Sequence, residues 1–152
     1  MNEINNNMTK KRFTTIAAVL IILIKDNKIF LLKRDNTGYD DGKYAFPGGH
    51  LEGNETLRQA AIREAYEEIG ITIKEEDLHF INLTHLVTNS ERIHIAFLAK
   101  KWTGKPINNE QHKASDAQWF DIDDLPNTLN EISKDLIKAY KNNLIYTELG
   151  WR

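Results

Sequence analysis

Two apolar runs open the chain. Ile16-Ala17-Ala18-Val19-Leu20-Ile21-Ile22-Leu23-Ile24 is followed by polar Lys25-Asp26-Asn27-Lys28, and then by Ile29-Phe30-Leu31-Leu32. Runs rich in β-branched residues, broken by a short Asp-Asn turn, predict a hairpin with strands over about 13–25 and 28–34. A polar stretch over 35–43 predicts a loop. A short strand over Tyr44 to Phe46 and a glycine turn come next. The pattern then predicts a helix over about 56–69, strands near 78–87 and 92–101, a loop, a strand over 118–120 and a last helix over about 129–143.

Both helices carry start signals. Thr56 with Gln59 three residues on is a capping-box pattern, and Gly70 stands where the helix should stop. Thr128 with Glu131 repeats the start signal after Pro126. Leu129, Ile132, Leu136 and Tyr140 then recur every three or four residues, as a face packed on a sheet would. A mixed sheet between two helices implies an α/β fold of three layers.

Composition bounds the class. At 152 residues, with 41% hydrophobic and 28% charged positions, the chain suits one soluble domain. We read 1–12 as an N-terminal tail, 13–145 as the domain and 146–152 as a C-terminal tail. A formal net charge of −2 gives no general attraction to a nucleic-acid polymer or an acidic membrane. Lys10-Lys11-Arg12 before the first apolar run looks like the start of a signal peptide. However, the run is too short to span a bilayer, and no small-residue cleavage site follows, so a buried strand is the better reading. The absence of cysteine excludes disulfides and thiolate chemistry and fits a cytoplasmic protein.

The candidate chemistry lies in the first helix. At 3.6 residues per turn, Glu64, Glu67 and Glu68 fall within a sector of roughly 100°. Ala61, Ile62, Ala65 and Ile69 fill the adjoining sector and face a core. Clustered like charges destabilise a helix unless a cation neutralises them, and hard oxygen ligands point to Mg²⁺ or Mn²⁺. Such a group suits metal-assisted hydrolysis of a phosphoanhydride, with one carboxylate taking a proton from water.

The same residues resemble a known signature. Gly49, five residues, Glu55, seven residues, then Arg63-Glu64-Ala65-Tyr66-Glu67-Glu68-Ile69-Gly70-Ile71 is similar to the Nudix box over its 23 positions. Ala65 is a departure, since the family prefers a bulkier aliphatic residue there. Leu31-Leu32-Lys33-Arg34, Tyr44-Ala45-Phe46-Pro47-Gly48-Gly49-His50 and the segment from Glu110 to Pro126 also resemble MutT-type members.

The resemblance implies a Nudix-type α/β/α sandwich with a mixed central sheet, and it implies roles. The Gly48 carbonyl, Glu67 and Glu68 would bind the catalytic Mg²⁺. Glu64 would be ligand or general base. Glu55 would support the base, and Arg63 would orient a glutamate. Glu110 is a candidate for a further acidic ligand or the base; a solvated loop acid is the other reading. Arg34, Tyr44 and His50 are candidate substrate contacts.

The activity implied is hydrolysis of a nucleoside diphosphate linked to another group, by a monomer or homodimer acting on a small nucleotide. The favoured substrate is a nucleoside triphosphate, canonical or oxidised, cleaved to monophosphate and pyrophosphate. An ADP-sugar or similar conjugate is the alternative within the class. Nucleotide binding without turnover is the alternative outside it.

Overall fold

The structure is a computed structural model and describes residues 10–152. The expected tail over 1–12 falls mostly outside the described residues. Regular structure begins at Ile16, not near 13, with β1 (Ile16–Lys25) and β2 (Lys28–Arg34). They meet at a tight hairpin in which Asp26 and Asn27 both take positive φ. Two-residue hairpin turns need this conformation, and Asp and Asn tolerate it.

Next come β3 (Tyr44–Ala45), β4 (Gly48–His50), α1 (Leu57–Ile69), β5 (Leu78–Val87) and β6 (Glu91–Ala99). The chain continues through β7 (Ala114–Asp121), α2 (Glu131–Lys141) and β8 (Tyr146–Leu149). The sheet runs β3-β2-β1-β6-β5-β8, with β4 also on β1 and β7 also on β2. It is mixed: β1 with β6 and β5 with β8 are parallel, and the other pairings are antiparallel.

Strand periodicity sorts the side chains between two helices. On β1 and β6, Val19, Ile21, Leu23, Ile95 and Phe97 pack with Ala60, Ala61, Ala65 and Ile69 of α1. Their neighbours Ile22, Ala96 and Leu98 pack with Leu136 and Ile137 of α2. Residues one apart on a strand point to opposite faces, so α1 and α2 cover opposite sides. The expected three-layer arrangement follows. Small alanines on α1 let the acid-bearing helix approach the sheet closely.

Four expectations are corrected. The glycine pair after Tyr44-Ala45-Phe46 is more than a turn: Gly48–His50 forms β4 on the first half of β1. A Cβ at Gly48 would collide with the Val19 carbonyl oxygen and lie 3.0 Å from Leu20 Cα, so only glycine permits this approach. The strand expected over 118–120 starts at Ala114, paired with Arg34. The last helix is capped by Asn130, which accepts from the Ser133 N–H at 2.9 Å; Thr128 gives its carbonyl to Tyr44 N–H instead. The segment 146–152, read as a tail, contains β8, which adds to the open edge of β5. Among the described residues, no helix is long and apolar enough to cross a membrane.

Candidate active site

Helix α1 begins with the expected capping box. Thr56 accepts from Gln59 N–H, and Gln59 accepts from Thr56 N–H. It ends at Gly70 in the left-handed conformation. With both ends fixed and one face in the core, its acidic side chains have a rigid base.

Arg63 organises them. Its Nε and Nη2 donate to the two oxygens of Glu55 at 3.0 and 2.8 Å, a bidentate pair. Nη1 donates to Glu64 Oε1 at 2.8 Å and to Glu67 Oε2 at 3.3 Å. Nη2 also reaches the His50 carbonyl at 3.1 Å, tying α1 to β4. The Arg63 hydrogen bond and the Glu52 N–H hold the Glu55 carboxyl below its usual range. Arg63 is held protonated more firmly than a free guanidinium, chiefly by Glu55.

The glycine pair shapes the rest. A Cβ at Gly49 would stand 2.5 Å from Glu64 Cδ, so its bare backbone is what admits the Glu64 carboxylate. Glu64 is 8% exposed. Burial raises its pKa, Arg63 opposes the rise, and Glu67 and Glu110 add to it. Glu68 Oε2 accepts from Gly48 N–H at 2.9 Å. Burial, reinforced by Glu64 and Glu110, pushes the Glu68 carboxyl up to about 8. Like-charged acids crowded into a low-dielectric cleft behave this way, and a divalent cation relieves the repulsion.

Hard oxygen donors from Glu68, Glu64 and Glu110 suit Mg²⁺. Among the described residues, no three acidic or histidine side chains yet converge on one point. Arg63 engages Glu55, Glu64 and Glu67 instead. Glu67 is therefore brought to the guanidinium rather than to Glu68.

These groups face a cleft of about 510 Å³, lined in part by Gly48, Gly49, His50, Glu64, Glu68, Glu110 and Arg34. Glu110 comes from the loop before β7 and pairs with Lys113 at 3.0 Å. Arg34 lines the cleft, fixed by the Tyr39 carbonyl at 2.8 Å and Thr37 Oγ1 at 3.0 Å. His50 lines it too.

Tyr44 does not line this cleft. It is buried in the α2-side core, edge-on to Phe120, with its hydroxyl donating to Asp116. Strand alternation explains this: Tyr44 and Ala45 point opposite ways, and Ala45 faces the cleft. Of the pair Tyr44 and Phe46 before the glycine turn, it is Phe46 that reaches the cleft, while also packing in the core. Lys113 and Asn108 line the cleft as well and are not among the candidate site residues read from the sequence. Lys113 carried a signal, as a base three residues after the candidate acid Glu110.

Comparison with known proteins agrees with this architecture. A family model described as the NUDIX domain matches residues 14–140. An oxidized purine nucleoside triphosphate hydrolase of Danio rerio is 33% identical over 122 residues, covering 75% of this chain and 71% of that one. An ADP-ribose pyrophosphatase of Methanocaldococcus jannaschii is 34% identical over 122 residues, covering 78% and 69%. The crystal structure of a MutT NUDIX hydrolase from Burkholderia pseudomallei has the same fold, with a TM-score of 0.77 at 22% identity, covering 83% of this chain and 98% of that one.

Proposed function

The chain belongs to the Nudix family, and from that premise we propose that it hydrolyses nucleoside triphosphates, canonical or oxidised, to the monophosphate and pyrophosphate. The reaction class, cleavage of a phosphorus-containing anhydride, is the family's. The observation that carries the reading is the pairing of Gly48 and Gly49 with Glu68 and Glu64 at the floor of a cleft rimmed by Arg34 and Lys113. Acids for a cation and bases for phosphates share one cavity.

Family members work with divalent cations. When bound, such an ion supplies charge neutralisation for the phosphates and acidifies water. Glu68, Glu110 and the Gly48 carbonyl are the residues that would hold it, and of Glu64's two readings, ligand or base, we take the base. Glu64 accepts the proton from the attacking water: Arg63 takes Oε1 and leaves Oε2 for this task. A pKa raised by burial brings that carboxylate nearer the working pH, which favours general-base action. Glu55 and Glu67 position Arg63, and Arg63 positions Glu64. Glu67 joins the cation only by leaving the guanidinium. Arg34 and Lys113 offer their remaining N–H donors to the phosphates. Tyr44 acts through β3 and Asp116 rather than on substrate. We place the activity in the cytoplasm, in a monomer or homodimer.

The relative that is an ADP-ribose pyrophosphatase is as similar as the triphosphate hydrolase, so nucleotide conjugates are the second reading. The test is purified protein with Mg²⁺ against triphosphates, oxidised triphosphates and ADP-ribose, with products resolved by chromatography. Monophosphate and pyrophosphate from triphosphates supports the first reading. Cleavage of conjugates alone overturns it, and binding without turnover makes the protein a nucleotide sensor.

A further inference from the structure

Of the acids that line the cleft, Glu64 and Glu68 stand on α1, and Glu110 does not. Glu110 lies on the long connection between β6 and β7. A side chain on a loop is placed well only if the loop is fixed to a rigid element. The carboxyl end of α1 is that element. The last four carbonyls of a helix have no partner within it. Here those of Tyr66, Glu67, Glu68 and Ile69 all receive a donor. Gly70 N–H donates to the Tyr66 carbonyl at 3.1 Å, as part of the helix cap. The loop supplies the others. Ile107 N–H donates to Ile69 at 3.0 Å, and Asn109 N–H donates to Glu68 at 2.9 Å. The Asn109 side chain completes the set: Nδ2 donates to the Glu67 carbonyl at 3.2 Å and to the Tyr66 carbonyl at 3.3 Å.

The approach is close because Gly70 is bare. A Cβ there would stand 3.3 Å from Ile107 Cγ1 and 3.7 Å from Asn109 Cγ. N–H donors also suit the negative end of the helix dipole. Beyond Glu110 the loop closes on itself. Lys113 and Ala114 N–H donate to the Glu110 carbonyl at 2.9 and 3.2 Å, and Asn108 Nδ2 donates to the Ala114 carbonyl at 2.7 Å. Glu110 is thus held between the end of α1 and the start of β7. Asn109 is next to it in the chain and bonds to the backbone of both Glu67 and Glu68. Its own side chain turns to the helix end and not to the cleft.

Resting on the reading of Glu68 and Glu110 as cation ligands, we propose that Asn109 is a positioning residue for the divalent cation. Its amide locks the loop to α1, so that Glu110 stands at a fixed place opposite Glu68. Two carboxylates that face one cleft repel each other, and that repulsion pushes the loop away from the helix. The amide bonds oppose it. A ligand placed in advance binds more tightly than one that must be ordered on binding. Asn109 touches neither cation nor nucleotide and acts through Glu110.

The test is Mn²⁺ binding to the protein without nucleotide, followed by the loss of the EPR signal of free Mn²⁺, so it needs no turnover. Asn109→Leu keeps the shape of the side chain and removes the donor; Asn109→Ala removes the side chain. Both keep the backbone N–H of residue 109, so the chain still folds, and circular dichroism checks this. Each should raise the Kd for Mn²⁺ about five- to tenfold, the range of a lost hydrogen bond that supports a ligand. Glu110→Gln should weaken binding at least as much. The double variant of Asn109→Leu with Glu110→Gln should bind no more weakly than Glu110→Gln alone, because the lock then has no ligand to place. An unchanged Kd in both Asn109 variants, with Glu110→Gln weakened, overturns the inference and leaves the ligand reading standing. Losses that add in the double variant also overturn it, since they would make Asn109 a support for the helix end alone. If Glu110→Gln binds Mn²⁺ as the wild type does, Glu110 is no ligand, and the reading and the inference fall together.

Discussion

The Glu64 carboxylate lies against the bare α-carbon of Gly49, where a Cβ would stand 2.5 Å from Glu64 Cδ. Helix α1 is pinned by its caps and its core face, so the acid has nowhere to retreat without changing rotamer. Gly49→Ala should displace the carboxylate by the width of a methyl group. A misplacement of this size costs on the order of 100-fold in rate. Steady-state assays should show kcat falling by about that factor with a modest loss of Tm. Combining it with Glu64→Gln should cost little more than Glu64→Gln alone, because both remove one function. Additive losses would separate Gly49 from the base.

Arg63 holds Glu55 with two parallel hydrogen bonds and Glu64 with a third. Lysine keeps the charge but lacks the planar fork. Arg63→Lys should lower kcat by roughly ten- to a hundredfold, with KM for the nucleotide nearly unchanged, since Arg63 positions the base and does not touch substrate. A variant that instead raised KM and kept kcat would make Arg63 a phosphate ligand.

Burial, with Glu64 and Glu110 adding to it, pushes the Glu68 carboxyl up to about 8, above the ordinary carboxylate range. A raised folded-state pKa means that the proton stabilises the fold. The ionised Glu68 penalty is fully present above about 8 and fades as pH falls through 8 towards the unfolded value. A divalent cation relieves the same penalty and competes with the proton. The rise in Tm caused by Mg²⁺ should therefore be larger at pH 8.5 than at pH 6.5. Differential scanning fluorimetry with Mg²⁺ or a chelator checks this. Glu68→Gln should remove the pH dependence of the shift, and a shift that grew towards acid pH would place the cation elsewhere.

Local signals were legible where chemistry and helix geometry coincide. The Thr56–Gln59 box, the Gly70 stop and the Glu64–Glu68 face need only residues a few positions apart. What failed depends on distant partners. The side chosen by Tyr44 follows from the register of β3 on β2, which no local pattern sets. The start of β7 at Ala114 follows from its pairing with Arg34. Glu67 sits on the predicted face, yet Arg63 one turn earlier claims it, and the helical wheel alone could not rank that contact above a cation.

Strand β8 was hidden for the same reason: Tyr146-Thr147-Glu148-Leu149 is short, half exposed and paired with β5 in parallel. What holds it is polar. Asn82, 1% exposed, donates to the Leu144 carbonyl at 2.9 Å. Thr84 Oγ1 donates to Asn82 Oδ1 at 2.8 Å and lies 2.9 Å from Thr147 Oγ1. Thr147→Val keeps the shape and β propensity but removes the hydroxyl, leaving the Asn82–Thr84 pair one partner short. An unmet buried polar group costs about 1–3 kcal/mol. Urea unfolding should show a loss in that range, while kcat and KM stay unchanged because β8 lies at the sheet edge away from α1. Deleting 146–152 should cost more than Thr147→Val, since it also bares the edge of β5 and invites strand pairing between molecules. A truncated chain as stable as the full one, and still soluble at high concentration, would show that β8 contributes nothing to the fold.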